Sequence, residues 1–285
     1  MARIALATTA ALIDVDVDDA ALLAALPEAE LAAWETPTDW AAYDLVVLRS
    51  TWNYIDRLDE FLGWAESVAA VTRLVNPVPV IRWNTDKRYL AQLEAAGVPV
   101  VPSLFVAPGE QPPDDALAGR IVVKPAVGNG SNGAALLDGD PTAAAAHVAM
   151  LHAAGRTALI QPYLEQVDTL GEKALVHLGG SFSHAATKGA ILSKEMSFST
   201  GVYADEEISP ATASDAEIAV ARAVLDATAV LLPDAADLAY ARVDLLPTDD
   251  GPVLLELELT EPSLFLTQAD GAADRAAAAI RDLLR

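Results

Sequence analysis

Residues 240–262 read YARVDLLPTDDGPVLLELELTEP, two runs of alternating apolar and charged residues separated by a polar turn. Period-two alternation on both sides of Pro247, Asp249, Asp250 and Gly251 predicts an antiparallel hairpin, 241–246 paired with 253–259. With the turn centred on Asp250, Asp244 falls opposite Glu256 and Arg242 opposite Glu258, while Val243, Leu245, Leu255 and Leu257 cover the other face. Carboxylates set directly opposite one another repel, so a face carrying Asp244, Glu256 and Glu258 needs compensating positive charge. Arg242 supplies part of it. Oxygen ligands of this kind suit hard cations, and magnesium in particular sits on one or two carboxylates plus the phosphates of a nucleotide. In a chain with 41 acidic residues a solvated, acid-decorated strand face reads the same way, and the hairpin alone does not choose between them.

The charge balance narrows the partners. Lys and Arg number 18 against those 41 acids, a net charge of −23, which repels nucleic acid and anionic membrane surfaces. An anion-binding site must therefore concentrate its lysines or use backbone amides. With no cysteine, disulfides, thiolate metal sites and cysteine nucleophiles are excluded. The first residues, MARIALATTAALIDVDVDD, have one arginine, a short apolar run and then acids, so a buried strand at 4–8 is expected there rather than a signal peptide. The sequence lacks an apolar run of the ~18 residues a membrane helix needs, and a cytoplasmic enzyme is expected.

Strands at 4–8 and 45–49 alternate with helices at 18–26 and 58–71, the pattern of a small α/β lobe over a parallel sheet. Asn76-Pro77-Val78-Pro79 reads as a break. A helix follows, capped by Asn84 or Thr85, with Tyr89, Leu90, Leu93 and Ala96 at helical spacing and Gly97 as its end. An extended run is expected at 98–101 and a strand at 121–124. The latter leads through Pro125 into the loop Gly128-Asn129-Gly130-Ser131-Asn132-Gly133, with apolar runs at 134–137 and 159–164 beyond it. Gly179-Gly180 predicts a hairpin joining 175–178 to 181–186, and helices are expected at 214–232 and 268–284.

The glycine loop is neither a Walker loop nor a dinucleotide fingerprint. Its glycines and Ser131 can still present amides and a hydroxyl to phosphate oxygens, or simply form a hairpin turn. Lys87, just inside the capped helix, and Lys124, at a strand end, stand in settings where an ammonium wants anionic company. Either also reads as a surface lysine laying its stem on the protein.

Taken in order, Asn84-Thr85-Asp86-Lys87, Val123-Lys124-Pro125, the glycine loop, Gln161-Pro162-Tyr163-Leu164, Arg242-Val243-Asp244 and Glu256-Leu257-Glu258 resemble the ATP-grasp superfamily, over about 200 residues from Asn76 onward. The resemblance implies an α/β fold of α+β lobes: a pre-ATP-grasp domain over 1–80, then two subdomains, 81–164 and 165–285, gripping ATP between them. By position it implies that Lys87 and Lys124 contact ATP phosphates. Gly128, Gly130, Ser131, Asn132 and Gly133 would close over the terminal phosphate, and Gln161, Pro162, Tyr163 and Leu164 would form the adenine hinge. Asp168 falls where the family holds the ribose, with Glu165 as competitor. Lys188 is implied as a further phosphate ligand, Asp244, Glu256 and Glu258 as magnesium ligands, and Arg242 as the group steadying the reacting carboxylate. Where the family has asparagine as the last metal ligand, this chain has Glu258.

Arg49-Ser50-Thr51-Trp52-Asn53-Tyr54 follows the 45–48 strand at its carboxyl end, where ligands of open α/β sheets bind. Arg49 can hold a carboxylate, and Trp52 and Tyr54 can wall a small pocket with Ser50 and Thr51 beside them. An arginine paired with an acid, and aromatics packed between lobes, is the alternative. With 256–264, ELELTEPSL, this segment resembles the glutathione-synthetase-like branch that includes the ligase closing the D-cycloserine ring. That likeness implies a carboxylate–amine ligase working through an acyl phosphate, with Thr260, Pro262 and Ser263 near the tetrahedral intermediate. Its substrate would be a small amino acid, O-ureido-D-serine, cyclised within one molecule. An intermolecular dipeptide or amide ligase and a non-catalytic nucleotide-binding module are the competing expectations. A homodimer is a family expectation.

Overall fold

The computed structural model describes residues 2–130, 132–189, 207–236 and 238–285. Three sheets follow one another along the chain. The first is parallel, with β1 (Ile4–Thr8), β2 (Ala29–Ala33), β3 (Leu45–Leu48) and β4 (Arg73–Val75) in the order β2-β1-β3-β4. Every residue of β1 and β3 is buried, as central parallel strands covered on both faces require. The pleat sorts their side chains. Ile4, Leu6, Leu45 and Val47 meet Leu22 and Leu26 on the side of α1 (Val17–Ala25), whose cap is the Asp16 carboxylate accepting from the Asp19 amide at 2.8 Å. Ala5, Ala7, Val46 and Leu48 instead meet Phe61, Ala65 and Val68 of α2 (Leu58–Ala69).

Asn76-Pro77-Val78-Pro79 does not break the chain. It opens α3 (Val78–Asn84), because proline is tolerated in a first helical turn, where amides have no partner. Asn84 therefore ends a helix rather than starting one, and the expected second helix, α4 (Tyr89–Ala95), begins five residues later. Asn84 spends its side chain on a distant segment: Nδ2 donates to Leu257 O at 2.7 Å and Oδ1 accepts from Leu259 N at 2.7 Å.

In the second sheet β5 (Leu104–Val106), β6 (Arg120–Pro125), β7 (Ala135–Asp138) and β8 (Ala158–Pro162) lie in the antiparallel order β5-β8-β6-β7. The glycine loop joins β6 to β7, with Lys124 near the end of β6. Ala144, Val148 and Leu151 of α5 (Pro141–Ala153) cover Ile121, Val123 and Ile160.

After the single turn α6 (Val167–Leu170), the third sheet runs β11-β10-β9-β12-β13, all antiparallel: β9 (Glu172–Leu178), β10 (Ser181–Lys188), β11 (Ile208–Ala211), β12 (Tyr240–Leu246) and β13 (Val253–Glu258). Gly179 and Gly180 both take positive φ, 55° and 76°, as a two-residue hairpin turn demands. Ser214 and Glu217 form a capping box at the start of α7 (Asp215–Leu231), which packs Ala221 and Val224 onto Leu175, Val243 and Leu257.

The β12–β13 register is the expected one, Arg242 opposite Glu258 and Asp244 opposite Glu256. One residue departs. A bulge after Asp244 pairs Leu245 with Leu254, so Leu254 enters the core and Leu255 turns away from it. The extended run at 98–101 forms only one bridge, Val100 to Leu254. Finally α8 (Ala272–Asp282), shorter than the expected 268–284, lays Ala276, Ala277 and Ile280 into the core of the first sheet.

Candidate active site

A cleft of about 790 Å³ is lined by residues from all three sheets. The loop after β3 supplies Trp52 and Tyr54. The second sheet supplies Lys124, Gly128, Gly130, Asn132 and the strip Gln161, Pro162, Tyr163 and Leu164; the third supplies Glu172, Lys188, Arg242, Glu256 and Glu258, with Ser263 just beyond. Lys87, between α3 and α4, completes the set.

Charges on the cleft floor are organised by strand alternation. Arg242 and Asp244 are two apart on β12 and so share a face. Arg242 Nε and Nη2 both grip the Asp244 carboxylate at 2.8 Å, Nη2 also pairs with Glu258, and Nη1 donates to Ser263 O at 3.0 Å. On the neighbouring hairpin Lys188 Nζ bridges Glu172 Oε1 at 2.6 Å and Asp244 Oδ2 at 3.3 Å. Lys87 Nζ lies 2.8 Å from Glu256 Oε1 and donates to Gly128 O at 2.6 Å, which ties the glycine loop to the strand carrying Glu256. Asn129 Nδ2 ties the same loop to Trp52 O at 2.8 Å.

These contacts set the protonation states. Burial alone would raise Asp244, but Arg242 and Lys188 outweigh it and hold the carboxyl below its ordinary range. Burial pushes Glu258 up to about 8; Arg242 opposes this only in part, and Asp244 and Glu256 add to it. Lys87, despite burial, is held above the usual lysine value by Glu256. Lys124 goes the other way: burial pulls it down and Lys87 and Lys188 repel it, with only partial relief from Glu256 and Glu172.

Glu172 is a group that local sequence reading did not single out. Its carboxyl is raised to about 7, by burial first and by Asp244 as well, against the pull of Lys188. Counting outward from Gly179-Gly180 would place Glu172 opposite Thr187; the irregularity between Phe182 and His184 shifts the pairing by one and puts Lys188 there. A folded pKa above the unfolded one gives stability that is complete below about 4.5 and disappears as pH rises through about 7. Glu172→Gln should remove this pH dependence, on the order of 2 kcal/mol between pH 5 and 8. Thermal melting across that range checks it, and an unchanged slope would count against a protonated Glu172.

Several expected site residues lie elsewhere. Arg49 is fully buried, with Nε 3.3 Å from Asp19 Oδ1 and Nη1 donating to Pro262 O at 3.1 Å, so its guanidinium is engaged inside the protein and does not reach the cleft. Ser50 is bonded to Asp19 and Thr8, and Thr51 is buried away from the cleft. Asp168 is held by the Tyr163 hydroxyl and by Arg120, whose guanidinium lies 4.1 Å from the Tyr163 ring, so it braces the Gln161-to-Leu164 strip instead of facing the cleft. Gly133 sits beneath Pro125, its carbonyl 2.9 Å from His147 Nε2. Thr260 is buried against Asn84, and Pro262 contributes its carbonyl to Arg49. Ser131 lies outside the described residues. In their place the structure brings in Glu261, Phe265, Gln268 and residues 16–18 at the start of α1. For these the only sequence cue was position at the carboxyl ends of β1 and β13.

The metal expectation changes most at Asp244. It is 1% exposed, both of its oxygens are taken by Arg242 and Lys188, and it does not line the cleft. Among the described residues no three acidic or histidine side chains converge as ligands. Glu256 and Glu258 remain, two apart on one face of β13 and both open to the cleft. Two carboxylates side by side on the cleft wall fit magnesium, which takes one or two protein carboxylates and completes its shell with water and phosphate.

Known proteins resemble the chain along its whole length. Residues 4–76 match the family model of the D-cycloserine synthetase DcsG N-terminal domain. The cycloserine biosynthesis protein DcsG of Streptomyces lavendulae is 40% identical, with 100% of each chain covered. A crystal structure of D-cycloserine synthetase DcsG superposes with a TM-score of 0.88 at 38% identity over 99% of both chains. The D-alanine–D-alanine ligase of Bacillus anthracis complexed with ATP superposes at 0.68 with 16% identity, covering 100% of this chain and 97% of that one. The ATP-grasp resemblance drawn from the ordered motifs thus holds for the fold, and identity at this level over the full length means that the chain belongs to the DcsG family of ATP-grasp ligases.

Proposed function

We propose that this protein joins a carboxylate to a nitrogen at the expense of ATP and that its substrate is O-ureido-D-serine, closed within one molecule to D-cycloserine. The observation that carries the ligase reading is the convergence of Lys87, Lys124, Lys188 and Arg242 with Glu256 and Glu258 in one cleft of a chain whose net charge is −23. Cations gathered against that background suit a polyanion. The DcsG relatives motivate the choice of substrate.

In this reading Lys124 and Lys87 receive ATP phosphates, while Gln161, Pro162, Tyr163 and Leu164 receive the base. Residues 81–164 and 165–285 are the two gripping subdomains, and 1–80 supplies a wall of the substrate pocket. Glu256 and Glu258 would hold magnesium, which when bound neutralises phosphate charge. A substrate carboxylate oxygen attacks the γ-phosphorus as the bond to ADP breaks, giving an acyl phosphate. The nitrogen bonded to oxygen then attacks the acyl carbon, its proton passing to the departing phosphate as the C–O bond breaks, and hydrolysis of the carbamoyl group left on that nitrogen, to carbon dioxide and ammonia, gives D-cycloserine. Arg242 is held by Asp244, Glu258 and Ser263 O, so it presents its charge to the carbonyl oxygen without reorganising. The glycine loop, tied to Lys87 and Trp52, keeps water from the acyl phosphate.

No described helix is long and apolar enough to cross a membrane; a cytoplasmic homodimer is part of the same proposal. Purified protein with ATP, magnesium and O-ureido-D-serine should release phosphate and ammonia and yield a ring product with the mass of D-cycloserine. A dipeptide mass would favour intermolecular condensation, and absence of ATP turnover with any small amino acid would overturn the ligase reading.

A further inference from the structure

Among the described residues six carboxylates line the cleft, and five are committed within the chain. Asp16 caps α1. Asp18 accepts from the Phe265 and Leu266 amides at 2.8 and 2.7 Å. Glu172, Glu256 and Glu258 are paired with Lys188, Lys87 and Arg242. Glu261 differs, because among the described residues no ion pair reaches it and the neutral Tyr54 hydroxyl is the polar group beside its carboxyl.

The segment carrying Glu261 is fixed from behind. Trp52 Nε1 donates to Glu261 O at 2.8 Å, Arg49 Nη1 to Pro262 O at 3.1 Å and Arg242 Nη1 to Ser263 O at 3.0 Å. Three consecutive carbonyls are thus each held by a different side chain, and the stretch is rigid without belonging to a strand or helix. Tyr54 is itself buried, its ring stacked on Phe61 at 4.7 Å between centroids. Burial pushes the Glu261 carboxyl up to about 7 against the Tyr54 hydrogen bond and Lys87, as befits a carboxylate whose charge the chain leaves largely unmet. A well-placed acid in that condition wants a cationic ligand.

We propose that Glu261, oriented by Tyr54, receives the ammonium group of the amino-acid substrate and so selects carboxylic acids that bear a free amine. The inference rests on the amino-acid ligase reading above. It gives the Trp52–Tyr54 wall a purpose: the aromatics position a carboxylate for the amine, while Arg242, which holds the carbonyl two residues further on, faces the reacting carboxyl end. A site built to pair with a charged group rejects the analogue lacking it, because its own polar group is then left unpaired.

The test compares the amino-acid substrate with its desamino analogue, the same acid without the amine, in the unaltered protein and in Glu261→Gln and Glu261→Asp, after thermal melting has shown each variant folded. Glu261→Gln should raise KM for the amino acid by about 10- to 100-fold, the range of one charge-assisted hydrogen bond, and leave KM for ATP unchanged. Glu261→Asp should recover part of the loss, and the desamino analogue should be handled alike by the unaltered protein and the Gln variant. An unchanged KM in Glu261→Gln, or an equal loss with the desamino analogue, overturns the inference while ATP turnover leaves the ligase reading standing. No ADP formation with any small amino acid in the unaltered protein overturns both.

Discussion

Lys124→Met should weaken ATP binding by about 100-fold, the scale of one or two charge-assisted phosphate contacts, and leave the nucleotide-free protein at least as stable as its parent. The two halves of this expectation come from one circumstance. No described hydrogen bond or ion pair engages the Lys124 ammonium, burial pulls its pKa down, and Lys87 and Lys188 repel it. An ammonium held in that way opposes folding, so an apolar side chain of similar length relieves the desolvation penalty. In the proposed reading ATP supplies the missing anion. Calorimetric titration of ATP, with melting curves in the presence and absence of nucleotide, measures both effects; a lower Tm without nucleotide, or an unaltered Kd, would remove Lys124 from the phosphate site.

Arg242→Met should do the reverse, lowering stability by about 3–5 kcal/mol, the usual loss on removing one partner of a buried ion-pair network. Asp244 would keep only Lys188, Glu258 would lose its cation, and Ser263 O its donor. Turnover should fall below detection even where the variant is folded, because the same guanidinium is assigned to the reacting carboxyl. Arg242→Lys should not restore it: the grip on Asp244 uses Nε and Nη2 together, a fork a single ammonium does not reproduce. Denaturant unfolding beside steady-state rates separates the two losses. Full activity in the Lys variant would show that the paired geometry is not needed.

What the sequence made legible follows the range of the forces involved. The β12–β13 register was readable because period-two alternation and a marked turn are local signals, and the pairing of Arg242 with Glu258 and Asp244 with Glu256 follows from counting. Leu255 escaped because a bulge shifts every later side chain and leaves no mark in the apolar pattern. Arg49 and Asp168 were readable as charged residues near a ligand face. Their partners, Asp19 and Arg120, lie 30 and 48 residues away, and nothing local announced that those charges were already satisfied. Glu261 was hidden for the opposite reason: what sets it apart is the lack of a cationic partner, which shows only once the other carboxylates have been matched. The short strands β2, β4 and β5 are set by their neighbours in the sheet rather than by their own composition; AELAA alone favours helix.

The placement of α8 bears on how the protein is made. Ile4, Leu6, Leu45 and Val47 leave the ribosome more than 200 residues before Ala276, Ala277 and Ile280, which close the face they form. At typical synthesis rates of ~5–20 residues per second, this parallel sheet waits on the order of ten seconds or more for its cover. During that interval it presents a sticky surface to a crowded cell. Slower translation or a shortage of chaperones should therefore lower the yield of folded protein before it changes any property of the finished molecule.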